Sequence, residues 1–159
     1  MKIDKLKYKI IPEEFVQKCI IIHLKKLGWN RNVETKELHE KGVDIRLTNN
    51  NYNRSWLIEC KGDAKNAKSP NSSKQSSFHH VFGQIIKRMK TNGKLGYRYG
   101  NKYGVGFPVS FKDLVIKNLP YNVCYKLSLT VSIVNKDGKV DELDYKVLKK
   151  AQTNLQEHL

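Results

Sequence analysis

A chain of 159 residues with 39% hydrophobic and 28% charged residues has enough material for one domain with its own core, so folding needs no disulfide or metal staple. Thirty Lys and Arg against 15 Asp and Glu leave a net charge of +15, which points to an anionic partner, nucleic acid being the most general one. Cys19, Cys60 and Cys124 are scattered without metal-ligand spacing, which indicates neither a disulfide framework nor a zinc site, and no apolar run approaches the length of a membrane span. A cytoplasmic protein with no membrane association is the expectation. A lysine-rich background composition is the plainer source of the charge.

Residues 12–27 begin with Pro12 and two acids and end in Lys25 and Lys26 before Gly28, which are the start and stop signals of a helix. Phe15, Cys19, Ile20, Ile22, Leu24 and Leu27 give it a broad apolar stripe. Short alternations over 29–38 predict a strand. A stricter alternation follows at 42–47, where Val43, Ile45 and Leu47 point one way and Asp44 and Arg46 the other. A polar Asn-rich turn at 49–53 and an apolar return over 55–61 predict a hairpin.

The Lys-, Ser- and Asn-rich segment 63–77 has no apolar period and reads as a surface loop. Ser77 is then the expected cap of a second helix to about residue 90, striped by Phe78, Phe82, Ile85 and Met89, with Gly93 and Gly96 ending it. Further on, 103–109 predicts a strand, 111–127 a helical stretch broken at Pro120, 129–134 and 140–143 two strands around a tight turn, and 145–155 a last helix. No repeat or linker divides the chain. One domain over 1–159 is expected, with a core at about 12–110 and a C-terminal extension at about 111–159.

The chemistry concentrates in Trp-Leu-Ile-Glu-Cys-Lys-Gly-Asp, residues 56–63. Side chains alternate along a strand, so Trp56, Ile58 and Cys60 share one face while Leu57, Glu59 and Lys61 share the other. Hairpin pairing of 43–47 with 56–61 can bring Asp44 to the face of Glu59 and Lys61. Two carboxylates held close need a cation, either a lysine or a bound metal, and hard oxygen ligands of this kind suit magnesium. The plainer alternative is a solvated cross-strand ion pair.

Asp44, fourteen residues, then Glu59-Cys60-Lys61, after a leading helix and before a second one, resembles the PD-(D/E)XK nuclease superfamily. The likeness covers about residues 12–110, with Val43 in place of the proline of the family name. It implies an α/β, restriction-endonuclease-like core, a mixed sheet of four to five strands flanked by helices in the order αβββαβ. It further implies that Asp44 and Glu59 bind Mg2+ (or Mn2+), with the Cys60 carbonyl as a further ligand, and that Lys61 serves the attacking water.

A further acid from the first helix is a feature of many members; Glu14 is the expected residue and Glu13 the alternative, though either also suits a helix N-terminus with no other role. Gln84 matches a glutamine that several members carry on the second helix. DNA is the expected substrate, RNA stays open, and a homodimer is an expectation because many members are dimers. On such a protein Lys65, Lys68, Lys74, His79, Lys87 and Arg88 would contact nucleic-acid phosphates. His79 and its neighbour His80 also suit a plain surface role. A magnesium-dependent endonuclease is thus the expected activity, with a non-catalytic nucleic-acid-binding or assembly protein on the same fold as the alternative.

Overall fold

The computed structural model describes residues 10–29, 34–35, 42–49, 54–65, 69–89 and 101–156. Helix α1 (Glu13–Lys26) starts after Pro12, carries both acids in its first turn and three basic residues in its last, and is followed by Gly28 at φ +89°. The strands β1 (Glu34–Thr35), β2 (Ile45–Asn49) and β3 (Arg54–Cys60) follow, then α2 (Pro70–Arg88) and β4 (Lys102–Pro108). A 3-10 turn (Val109–Phe111) leads into α3 (Lys112–Asn118) and α4 (Tyr121–Leu127), and the chain continues with β5 (Leu129–Val134), β6 (Val140–Leu143) and α5 (Tyr145–Gln156). The opening order is αβββαβ, as expected.

One mixed sheet runs β1-β2-β3-β4-β5-β6 in chain order. Five of its strands have four residues or more, and β1 adds a two-residue edge. β3, β4 and β5 are parallel, and β2 and β6 flank them antiparallel. Parallel strands need crossover connections, which α2 supplies between β3 and β4, and α3 with α4 between β4 and β5. Because β5 and β6 extend the same sheet, residues 129–143 are part of the central layer.

Strand parity sorts the core into two layers. Trp56, Ile58 and Cys60 pack with Val16, Cys19, Ile20 and Leu24 of α1. Leu57 faces the other way and joins Phe78, Val81 and Ile85 of α2, Val115 of α3, Cys124 of α4 and Leu148 of α5. Both faces of β3 are therefore covered, which is why it carries the continuous apolar run Trp56-Leu57-Ile58. Gly106 on β4 admits α1: a Cβ there would stand 2.9 Å from Cys60 Sγ and 3.2 Å from Val16 Cγ1.

Three expectations change. Residues 70–76, read as loop, form the first two turns of α2, and its N-cap is Ser69 with Pro70 at the first helical positions, in place of Ser77. That polar opening is held by contacts distant in sequence: Lys74 Nζ donates to Ser110 O at 3.2 Å and lies 5.9 Å from the Phe111 ring centre. Asp44 precedes β2 instead of lying inside it. Of the predicted 29–38 strand, only β1 and Trp29 fall among the described residues, and the Asn turn beyond Asn49 and Gly93 and Gly96 lie outside them.

Candidate active site

The site forms at the C-terminal ends of β3 and β4, where open α/β sheets place their ligands. β2 pairs with β3 so that Arg46 faces Leu57, and two more steps of that register set Asp44 across from Glu59. Asp44 does not continue the ladder with its backbone. Its Oδ2 accepts the Cys60 N–H at 2.7 Å, so a carboxylate takes the bond a strand carbonyl would have taken. The next amide, Lys61 N–H, turns to Gly106 O on β4 at 2.9 Å.

Glu59 is completely buried, contrary to a solvated sheet face. Its partner comes from the last turn of α2, where Arg88 Nε donates to Glu59 Oε1 at 3.0 Å. Its other oxygen, Oε2, is buried with no donor among the described residues. Burial first, then the Asp44 charge, lifts the Glu59 carboxyl from 4.5 to about 7, against the opposing pull of Arg88. Protonated, Glu59 can hydrogen-bond to Asp44; ionised, it leaves Oε2 bare.

The helix acid that reaches this place is Glu13. Its Oε2 lies 3.5 Å from Lys61 Nζ, whereas Glu14 is exposed on the next position of α1. Burial, aided by the Asp44 charge, raises the Glu13 carboxyl, and Lys61 pulls it back. The local chain explains the placement. Asp63 Oδ2 accepts from Ile11 N at 2.8 Å, Asp63 N donates to Ile11 O at 2.8 Å, and Ser110 Oγ donates to the remaining Asp63 oxygen. Asp63 thus ties the end of β3 to the start of α1 and to the turn after β4.

The other sequence candidates divide. Gln84 stands one turn before Arg88 on the same face of α2, and its Oε1 is buried without a donor among the described residues. Cys60 presents no thiol to the site: it is fully buried in the α1 layer, and burial pushes its thiol far above the ordinary range. Lys65, His79, His80 and Lys87 are exposed on the surface. Lys74 is held by Ser110, Arg88 is held by Glu59, and Lys68 lies outside the described residues. Missed from the sequence were the roles of Gly62 and Asp63, whose signal was a Gly-Asp pair directly after Lys61, and of Arg88 as the partner that a buried Glu59 requires.

Among the described residues, no three His, Cys, Asp or Glu side chains converge closely enough to hold a metal by themselves. Asp44 and Glu59 alone are a donor set that magnesium accepts, since it keeps several waters and takes one or two carboxylates. Glu59 Oε2, without a donor among the described residues, on a carboxyl that interacts with Asp44, fits such an ion. With Glu13, Asp44 and Glu59 ionised against Lys61 and Arg88, the cluster carries one net negative charge.

No helix among the described residues is long and apolar enough to cross a membrane. No family model and no curated protein matches the chain. Two solved structures are similar over 80% of this chain and 96% of their own: an XisH family protein from Nostoc punctiforme at 17% identity and a TM-score of 0.47, and a fdxN element excision controlling factor protein from Anabaena variabilis at 16% and 0.49. Likeness at that level assigns this chain neither a family nor an activity.

Proposed function

We propose that this chain is a metal-dependent nuclease of the PD-(D/E)XK type that hydrolyses phosphodiester bonds of DNA. The observation that carries the reading is Glu59: a fully buried carboxyl, one oxygen without a donor among the described residues, set beside Asp44 at the end of a parallel strand. A carboxyl pair of that kind, kept in a fold at a cost in stability, asks for a cation. Asp44 and Glu59 would hold magnesium, or manganese in its place, with the Cys60 carbonyl as a further ligand. Bound there, the ion would neutralise phosphate charge and make water a stronger nucleophile.

The chain's own groups supply the rest. Lys61 stands beside Glu13 with its ammonium partly exposed, able to orient the attacking water and to offset negative charge that grows on the phosphate. Glu13 holds that ammonium in place. Gln84 offers a buried acceptor with no partner among the described residues, suited to a water or a sugar hydroxyl. Water adds to phosphorus, one P–O ester bond breaks, and the products carry a phosphomonoester and a hydroxyl. The excess of 15 positive charges draws the polyanion, with Lys65, Lys68, Lys74, His79 and Lys87 as phosphate contacts.

The test is cleavage of plasmid, linear and branched DNA with magnesium or manganese, in the wild type and in Lys61→Ala. Cleavage that disappears in the variant while DNA binding persists supports the reading. Binding without cleavage on every substrate overturns it in favour of a non-catalytic nucleic-acid-binding or assembly protein.

A further inference from the structure

The Glu59–Arg88 contact is one-sided. A buried carboxylate that served only the fold would gain most from the guanidinium fork, which can cover both oxygens with parallel hydrogen bonds. Here Arg88 Nε reaches Oε1 alone, and no guanidinium nitrogen reaches Oε2. The Glu59 side chain is 1% exposed and that of Arg88 34%, so the arginine reaches in from the surface while its target is wholly inside. A single fixed donor on Oε1 sets the rotation of the carboxylate about its last bond. Oε2 is thereby the oxygen left without a donor among the described residues, on a carboxyl that lies within interaction distance of Asp44.

Resting on the metal-site reading above, we infer that Arg88 is a positioning residue for metal binding: it pins Glu59 through Oε1 so that Oε2 is presented to the cation. Ligating carboxylates are commonly oriented by a hydrogen bond to the oxygen the metal does not use. Arg88 stands where such a donor belongs, on the last turn of the helix that covers the sheet, with the buried Gln84 Oε1 one turn earlier on the same face. The residue that the sequence suggests as a phosphate contact is thus committed to a ligand.

The test is Mn2+ affinity, read by calorimetry and by the EPR signal of free Mn2+, for the wild type, Arg88→Ala and Arg88→Lys at pH 8.5, with thermal unfolding of the metal-free proteins as the fold control. Arg88→Ala is expected to bind Mn2+ about 10- to 100-fold more weakly, with part of the loss recovered in Arg88→Lys. Equal affinity would overturn the inference and reduce Arg88 to a fold contact. Tighter binding would also overturn it, because Arg88 would then be competing with the ion. Should Arg88→Ala unfold, Arg88→Lys decides: several-fold weaker binding supports the inference and wild-type affinity overturns it. Failure of the wild type itself to bind Mn2+ at millimolar concentration overturns the metal site and this inference together, a result separate from the others.

Discussion

The backbone at Glu13 presses so closely on Gly62 that a Cβ on Gly62 would stand 2.9 Å from the Glu13 Cα and 2.7 Å from the Pro12 carbonyl carbon. Those atoms are backbone and cannot step aside as a flexible side chain could. Gly62→Ala therefore has to push the start of α1 away from β3, and with it Glu13 away from Lys61. Overpacking of this kind costs about 1–3 kcal/mol. Urea unfolding should show that loss, together with a fall in DNA cleavage. Gly83→Ala is the control, since Gly83 is exposed in the middle of α2 and an added methyl there would meet nothing within 4 Å; at that position alanine should stabilise by up to about 1 kcal/mol.

Glu59 sets a second prediction, on pH. In the unfolded chain its carboxyl ionises near 4.5, while in the fold burial and Asp44 hold the proton up to about 7. Between those values the folded state binds the extra proton, so stability falls as pH rises through the window and stays low above it. Below the window both states are protonated and nothing is lost. The full effect is roughly 3 kcal/mol at 1.36 kcal/mol per unit. Glu59→Gln, which keeps an acceptor for Arg88, should remove it. In urea unfolding of the metal-free proteins, the stability of the variant relative to wild type should climb from pH 4.5 to 7 and then level. A difference that ignores pH would contradict this account.

A third prediction separates two neighbouring acids. Glu13 lies 3.5 Å from the Lys61 ammonium and Glu14 is exposed. Glu13→Gln frees Lys61 from its partner and should slow cleavage about tenfold or more, within the range expected when a group that positions a catalytic residue is lost. Glu14→Gln should remain close to wild type, with a stability change within about 0.5 kcal/mol. The comparison of cleavage rates at saturating metal checks both.

What could be read from residues alone follows from where the stabilising contacts lie. β5 is rich in β-branched residues, a tight turn joins it to the short return strand β6, and α1 carries its own start and stop, so local pattern located all three. The polar opening of α2 has no such pattern. It is helical because Pro70 starts it and because Lys74 meets Ser110 and Phe111 across the molecule, contacts no window along the chain contains. Asp44 and Glu59 were brought together by parity and hairpin register. Parity could not say that Asp44 would leave the ladder to bind the Cys60 N–H, or that Glu59 would lie beneath α2 with Arg88 as its cation. Choosing between Glu13 and Glu14 required the angle at which α1 meets β3, which Gly62 and Asp63 set.

Asp63 supplies the last prediction, because one carboxylate there joins three segments. It accepts from Ile11 N–H and from Ser110 Oγ, while its own N–H donates to Ile11 O. Asp63→Asn keeps the size but replaces one acceptor oxygen with an NH2 group. Whichever way the amide turns, it then faces either the Ile11 N–H or the Ser110 hydroxyl, although that hydroxyl can rotate to accept. Asp63→Ala removes both bonds and leaves the Ile11 N–H without a partner at a part-buried position. An unsatisfied donor of this kind costs about 1–3 kcal/mol, so Asp63→Ala should be destabilised by that amount and Asp63→Asn by less. Both should also loosen the Glu13–Lys61 pair, since the clamp holds the start of α1 against β3. Amide exchange at residues 13–16 should rise in Asp63→Ala while the β5 amides, remote from the clamp, stay protected; uniform loosening of the whole sheet would show that Asp63 serves global stability and not the placement of Glu13.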